Sequence, residues 1–314
     1  MSCRTCVFLL TALLGGVPSV AAEPPTTRPA DPPATQPATQ PATQPTTQPA
    51  TQPAAPADPG PNPAAPGFDR RGSDARAIEL ADATMAAMGG RAAWDDVRYL
   101  AWRFFGRRFH VWDTHTGDIR VEWVDPKGDS RLVLMNLNTK TGRSWHGDDE
   151  MTNAFVRDDD LAAAYSMWIN DSYWLVMPYK LKDTGVTLTY VGPGKTSAGA
   201  PAEMIDLTFR QTGETPKNRY RVYIENATKL VGQWDFYVDA ADDAPRLSTP
   251  WTTWSRFGPI LLSGDRGNGM ILEVHGVYSS IPEGVMRDPG PVDVKDWTPL
   301  EPNGASLAPQ EPSP

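Results

Sequence analysis

Cysteine is almost absent from this sequence. Of its 314 residues only Cys3 and Cys6 are cysteines, and both lie within the first 22 residues. That segment has the parts of a secretory signal: the basic Arg4, a short apolar run over residues 7–17, and the small residues Val20-Ala21-Ala22 before the cleavage point. The sequence therefore predicts export with removal of a signal peptide over residues 1–22. The exported chain then has no disulfide and no thiol chemistry.

Long hydrophobic runs are missing as well. The apolar run of the signal is about 11 residues long, whereas crossing a bilayer core of about 30 Å takes about 20 residues. We therefore expect no transmembrane segment after signal cleavage, and we expect the protein to be exported to the periplasm or cell envelope of a bacterium.

Motifs for catalysis, metals and nucleotides are also lacking. There is no His-Glu-x-x-His and no Gly-x-Ser-x-Gly, and Gly192-Pro193-Gly194-Lys195-Thr196 has Thr189 where a phosphate loop needs its first glycine. A net charge of -9 without basic clusters excludes a nucleic-acid partner. We predict a protein that is not an enzyme and uses no cofactor or metal; a hydrolase with a dispersed active site is the enzymatic alternative. No metal-ligand spacing connects the four histidines, His110, His115, His146 and His275.

Proline, in contrast, is abundant and unevenly placed. Thr-Gln-Pro recurs five times at a period of four between residues 35 and 53, and residues 23–67 hold no apolar side chain larger than Ala or Pro. Such a segment cannot bury enough surface to fold, so we predict a disordered spacer over residues 23–67. A wall-spanning stalk and a glycosylated segment are alternatives for it. Proline returns near the end, which predicts a disordered tail over residues 299–314 and leaves a folded domain over residues 68–298.

The folded region is predicted to be mainly antiparallel β-structure with a few helices. After a first helix over residues 77–88, apolar and polar side chains alternate over residues 99–146 and again over 186–278, with short turns between the alternating runs. Residues 99–112 are predicted as one long strand, bent at Gly106.

One long helix is predicted to interrupt the strands, over residues 158–181. Its apolar side chains fall on one stripe, and Pro178 ends or kinks it. Asp158-Asp159-Asp160 stands at the expected N-terminus, where the helix dipole favours negative charge. Binding of a divalent cation by these three carboxylates is the alternative.

Three stretches carry a resemblance to a known family. They are Met88-Gly89-Gly90-Arg91-Ala92-Ala93-Trp94, residues 168–186, and the strand pair of residues 220–224 and 230–234. In these stretches and in the order of its elements, the chain resembles the LolA-like, or outer-membrane lipoprotein carrier-like, superfamily, and within it a group of exported bacterial proteins of unknown function. The resemblance spans residues 75–288. It implies an incomplete curved β-barrel whose open side is covered by helices, with an apolar cavity between them in which carriers of this type bind acyl chains.

Aromatic and methionine side chains are the candidate ligand-binding residues. Such side chains suit a pocket that re-packs around variable apolar ligands, and the same pattern is typical of an ordinary core. The candidates are Trp102, Phe104, Trp123, Met167, Trp168, Trp174, Met177, Tyr179 and Trp234.

Two functional hypotheses follow. The first is an exported, non-enzymatic binding module that holds a lipid, an acyl chain or another apolar ligand, or a partner polypeptide of the envelope, between a concave sheet and a helical flap. The second is a structural cell-envelope protein with a solid core, positioned by its Pro-rich spacer. A contiguous apolar cavity above about 300 Å³ beneath the helix favours the first, and a core filled by tryptophan favours the second.

Overall fold

The computed structural model describes residues 60–210, 215 and 217–302. The predicted signal peptide, residues 23–59 of the predicted spacer and residues 303–314 of the predicted tail lie outside the described residues. The described part has three α-helices, α1 (Ala75–Ala87), α2 (Gly90–Asp95) and α3 (Ala154–Val176). Its strands are β1 (Tyr99–Phe104), β2 (Arg108–Asp113), β3 (Asp118–Val124), β4 (Ser130–Asn136), β5 (Thr141–His146), β6 (Asp149–Glu150), β7 (Val186–Lys195), β8 (Pro201–Phe209), β9 (Arg219–Glu225), β10 (Val231–Tyr237), β11 (Leu247–Pro250), β12 (Thr252–Phe257), β13 (Ile260–Asp265), β14 (Leu272–Ser280) and β15 (Thr298–Pro299).

The strands of the described residues form two sheets and a separate hairpin. The larger sheet has the order β15-β14-β1-β2-β3-β4-β5-β6, the second has the order β11-β10-β9-β8-β7, and β12 pairs with β13. Every strand pair is antiparallel. Neither sheet closes on itself, and helices pack against the open arrangement. The predicted fold class, an incomplete curved antiparallel barrel covered by helices, is therefore confirmed.

The prediction of one long strand over residues 99–112 was wrong, because the chain turns back on itself there. Phe105 and Gly106 both have positive φ, 47° and 68°, and the Arg107 amide donates to the Phe104 carbonyl at 2.9 Å. Two successive left-handed residues are what a tight hairpin needs. The segment is therefore two strands, β1 and β2, joined by this turn.

The long helix α3 begins one turn earlier than predicted. Asn153 caps it, accepting hydrogen bonds from the amides of Phe155 and Val156 at 3.0 and 3.4 Å. The expectation that residues 158–160 stand at the N-terminus was wrong, because they lie in its second turn. At the other end, Pro178 falls in a 3₁₀ turn over Met177–Lys180 that follows α3, as its missing amide requires.

The main core lies between the two sheets, with α1 and α3 packed into the space. Large side chains meet there: Trp102 from β1, Trp234 from β10, Trp168 from α3 and Trp251 from the link between β11 and β12, each at most 2 % exposed. The opposite face of the larger sheet carries a smaller cluster around Phe109, covered by the chain near Val285 and Trp297.

Residues just outside both predicted boundaries of the folded domain also contact it. The Ala65 amide donates to the Lys182 carbonyl at 2.9 Å, and the Gly185 amide donates to the Gly67 carbonyl at 2.9 Å. At the far end β15 pairs with β14, and the Leu300 amide donates to the Val277 carbonyl at 3.0 Å. Residues 62–67 and 299–300 therefore lie against the domain.

Candidate ligand-binding site

The nine predicted site residues all belong to the main core or pack against it. Seven are buried, whereas Trp123 and Met167 are half-buried. Their rings touch neighbouring rings: the centroid of Trp174 lies 5.0 Å from that of Trp234, edge to face, and Trp234 stacks on Tyr220 at 4.9 Å. Ring-to-ring contacts of this kind stabilise a core. Side chains therefore fill the middle of the interface between α3 and the sheets, where the sequence predicted a ligand.

A cavity of about 410 Å³ lies instead at one end of α3. Its aromatic wall consists of Trp94, Trp112, Trp168 and Tyr179. Of the nine predicted residues only Trp168 and Tyr179 line it. The volume is within the range of small-molecule sites.

Gly89, between α1 and α2, places Trp94 at this cavity. Gly89 has a φ of 118°, and a Cβ there would lie 2.4 Å from the Pro259 carbonyl oxygen. Only glycine fits such a backbone and such a close contact. The short helix that follows brings the Trp94 ring onto Tyr179, with centroids 4.3 Å apart and planes 17° apart.

Tyr179 is fixed in position by its hydroxyl. The oxygen lies 2.7 Å from the Leu261 carbonyl and 3.1 Å from the Met88 carbonyl. Burial raises the pKa of this phenol, so it stays neutral. Tyr179 therefore presents its ring to the cavity, while its hydroxyl is already hydrogen-bonded within the protein.

An extended segment of the chain itself forms another wall. Asn62, Pro63, Ala65 and Pro66 all line the cavity. Asn62 Nδ2 donates to the Asp82 carboxylate at 2.8 Å, and the Thr184 hydroxyl donates to the Pro66 carbonyl at 2.7 Å.

Sequence reasoning placed this segment in the spacer and missed it as part of the candidate site. It missed Trp94 and Trp112 as well, although the Gly-Gly-x-x-x-Trp pattern that positions Trp94 is visible in the sequence.

The charged side chains around the cavity are paired with one another. Arg91 Nε lies 2.8 Å from an Asp95 carboxylate oxygen, and Lys182 Nζ lies 2.6 Å from Asp82. Lys180 pairs with Asp183 three residues on. The three cations are thus each matched by a carboxylate of the chain.

A second, shallower groove of about 730 Å³ runs beside the first half of α3. Leu161 and Tyr165 of the helix line it, together with Met135 and the turn between β4 and β5. The Lys140 ammonium lies 4.4 Å above the Tyr165 ring within this groove. Most of its lining is half or fully exposed, so it lacks the buried aromatic walls of the end cavity.

Helix α3 is tied to the larger sheet by a buried polar cluster. Arg108 of β2 makes two hydrogen bonds to the Asp171 carboxylate, at 2.6 and 2.7 Å, and His110 Nε2 lies 2.7 Å from it. Arg266, which follows β13 and lies outside the larger sheet, also holds the helix: its guanidinium donates to the Trp174 carbonyl at 2.6 Å. These contacts hold the helix in place over the filled core.

Comparisons with known proteins found similarity only to solved structures. No protein-family model matches the chain, and no curated protein matches it. Among solved structures it is similar to a DUF1329 family protein from Desulfovibrio piger, with 12 % identity, 68 % of this chain and 97 % of that chain covered, and a TM-score of 0.36. It is also similar to a putative outer membrane lipoprotein-sorting protein domain from Vibrio parahaemolyticus, with 8 % identity, 68 % and 96 % covered, and a TM-score of 0.34.

A third similar structure is that of the Pseudomonas aeruginosa MucA/MucB complex, with 13 % identity, 67 % of this chain and 68 % of that chain covered, and a TM-score of 0.22. At these identities and TM-scores the likeness says nothing about what this chain binds, which is inferred from its own side chains. Within the residues described, no helix has both the length and the apolar content that crossing a bilayer needs.

Proposed function

We propose that this protein is an exported, non-enzymatic binding module whose ligand occupies the end cavity. The ligand has an apolar part, as in a lipid, an acyl chain or an apolar segment of a partner polypeptide. The observation that carries the proposal is the cavity itself: about 410 Å³ of space beside the rings of Trp94, Trp112, Trp168 and Tyr179. Burial of apolar ligand surface against such walls supplies the binding free energy, about 25 cal/mol per Å² before the costs of association.

The proposal moves the ligand away from the predicted position between the concave sheet and α3. Trp174, Trp234 and Tyr220 occupy that space. Trp168 and Tyr179, at the end of the same core, are the predicted residues that a ligand in the cavity touches.

Location in the periplasm or cell envelope is part of the proposal. It is supported by the signal-like residues 1–22, with their basic start, short apolar run and small residues at the cleavage point. The Thr-Gln-Pro repeats after the signal suit a spacer between the binding module and an envelope surface.

Native mass spectrometry of the protein purified from the envelope of its own cells tests the proposal. The wild-type chain is expected to carry an additional bound mass. In the Ala65→Trp variant, an indole from the extended segment that lines the cavity occupies the ligand's space. This variant is expected to lose the bound mass.

Ala64→Trp is the matched control, because Ala64 is equally half-buried on the same segment and lies outside the cavity lining. It is expected to keep the bound mass. The proposal is contradicted if the wild-type protein carries no bound mass, or if the Ala65→Trp protein still carries its ligand.

A further inference from the structure

The extended segment that lines the end cavity carries a Pro-x-x-Pro motif. Pro63 and Pro66 both line the cavity, together with Ala65 between them. Because a polyproline II helix has three residues per turn, prolines at this spacing fall on one edge of it. Segments with this spacing are recognised by grooves that aromatic side chains line.

The cavity supplies both parts of such recognition, a ring and hydrogen-bond donors. Trp94 is only half-buried and belongs to the lining, so part of its ring remains accessible there. The Arg91 guanidinium lies 3.5 Å from the Pro63 carbonyl, to which it donates. The Thr184 hydroxyl donates to the Pro66 carbonyl at 2.7 Å. Polyproline II has no internal hydrogen bonds, so its carbonyls accept from donors of this kind.

The lining has donors for more than one such segment. Arg91 is 26 % exposed, and its contacts to Asp95 and Pro63 use two of the five N–H donors of a guanidinium. His115 also lines the cavity, with one ring nitrogen 3.1 Å from the Asp95 carbonyl. The cavity therefore offers a second proline-rich segment polar groups for its carbonyls beside ring surface for its prolines.

The same tetrapeptide occurs a second time in the chain. Residues 53–56 read Pro-Ala-Ala-Pro, as residues 63–66 do, and the sequence contains no third copy. The first copy lies outside the described residues. The link over residues 57–62 contains Pro59-Gly60, a pair typical of turns, and the chain bends over residues 60–62. So short a link, with a turn in it, lets the first copy reach the cavity beside the second.

We propose that the end cavity binds Pro-x-x-Pro segments, and that residues 53–56 of the same chain occupy it when no other ligand is present. A short link gives the segment an effective concentration on the order of millimolar, so even a weak contact fills the cavity. The inference goes beyond the proposed function, because it concerns the occupant that a ligand has to displace.

Titration with a free peptide tests the proposal. The peptide is Thr-Gln-Pro-Ala-Ala-Pro-Ala-Asp, the sequence of residues 51–58. It is added to the mature chain, which native mass spectrometry first shows to be free of other ligands. The ¹⁵N indole resonance of Trp94 reports binding. Pro53→Ser/Pro56→Ser is expected to bind the peptide roughly threefold or more tightly than the wild type, because the competing segment of the chain has lost its prolines.

Matched controls separate the motif from proline content in general. Pro45→Ser/Pro49→Ser removes two prolines of the Thr-Gln-Pro repeats, four residues apart, and is expected to bind the peptide as the wild type does. Added to Pro53→Ser/Pro56→Ser, Ala65→Trp is expected to abolish peptide binding, whereas Ala64→Trp, outside the lining, is expected to preserve it.

Two results would overturn the proposal. One is that the peptide binds neither protein at millimolar concentration. The other is that the wild type and Pro53→Ser/Pro56→Ser bind it equally, which would assign the cavity to a Pro-x-x-Pro segment of a partner polypeptide.

The proposed function is tested separately. If the native protein carries a mass that Ala65→Trp removes while the free peptide does not bind, the proposed function stands and the inference about residues 53–56 is wrong.

Discussion

Asp171 shows most clearly what single residues contribute to this fold. Its carboxylate is fully buried and receives hydrogen bonds from Arg108, His110 and Asn170. Burial alone raises the pKa of a carboxyl, but the hydrogen bonds and charges of His110 and Arg108 outweigh it, so the pKa of Asp171 is lowered. Asp171 is therefore ionised and its charge is compensated within the cluster.

Replacing Asp171 by alanine is expected to destabilise the protein strongly. The change leaves Arg108 and His110 without their partner beneath α3, and breaking a buried ion pair from one side typically costs about 3 kcal/mol or more. Urea denaturation measures the loss. Asp158→Ala is the control, since its pair with Arg157 is largely exposed and is expected to contribute little. Equal losses of stability in the two variants would contradict a stabilising role for the cluster of Arg108, His110 and Asp171.

His110 makes the stability depend on pH. Its ring is fully buried, and this burial, opposed by Asp171 and reinforced by the charges of Arg108 and Arg103, lowers its pKa below the ordinary 6.5. The unfolded chain therefore binds more protons between the two pKa values, so stability is complete above about pH 6.5 and falls as the pH drops below it.

The expected decline in the free energy of unfolding between pH 7 and pH 5 is at most about 1.4 kcal/mol per pH unit for this one group. Denaturation curves at both pH values, for the wild type and His110→Gln, measure it. The variant is expected to show a shallower decline because the titrating ring is gone. Parallel declines in both proteins would assign the effect to other groups.

At the scale of elements, the start of α3 separates what the sequence could predict from what it could not. A helix ended by Pro178 follows from the apolar stripe and from the missing proline amide. Three successive aspartates predicted a later start than the observed one, because a side-chain cap satisfies backbone amides directly whereas a dipole effect is weaker.

Asn153→Ala is expected to lower the free energy of unfolding by about 1 kcal/mol, since the cap bonds to Phe155 and Val156 are lost. Asp159→Ala, at an exposed position of the second turn, is expected to have a smaller effect. Urea denaturation of both variants decides between the two helix starts: a larger loss for Asp159→Ala would favour the later one.

The turn between α1 and α2 gives a second test at the scale of elements, of the close contact at Gly89. Gly89→Ala is expected to cost more than about 1 kcal/mol, because its φ of 118° is strained for alanine and its Cβ would meet the Pro259 oxygen at 2.4 Å. Gly90→Ala is the matched control, with a φ of 87° and no atom within 4 Å of the added carbon. Thermal unfolding of both proteins compares them, and a cost for Gly90→Ala as large as that for Gly89→Ala would contradict the close contact.

For the whole molecule, alternation of apolar and polar residues predicted antiparallel strands joined by short turns, and the resemblance to the LolA-like superfamily implied that the sheet is open and covered by helices. The hairpin at Phe105 escaped prediction because a phenylalanine with positive φ has no local signal. The residues of the proposed site were predicted only in part, since Trp94, Trp112 and the wall at Ala65 come from distant parts of the chain. Aromatic residues mark a core and a pocket alike, and only tertiary packing tells the two apart.

The location of the ligand is the central claim, and a crystal structure of the protein with the ligand it carries from its own envelope tests it most directly. We expect ligand density in the end cavity, against the rings of Trp94 and Tyr179. Density between α3 and the sheets, with Trp174 and Trp234 pushed apart, would contradict the account.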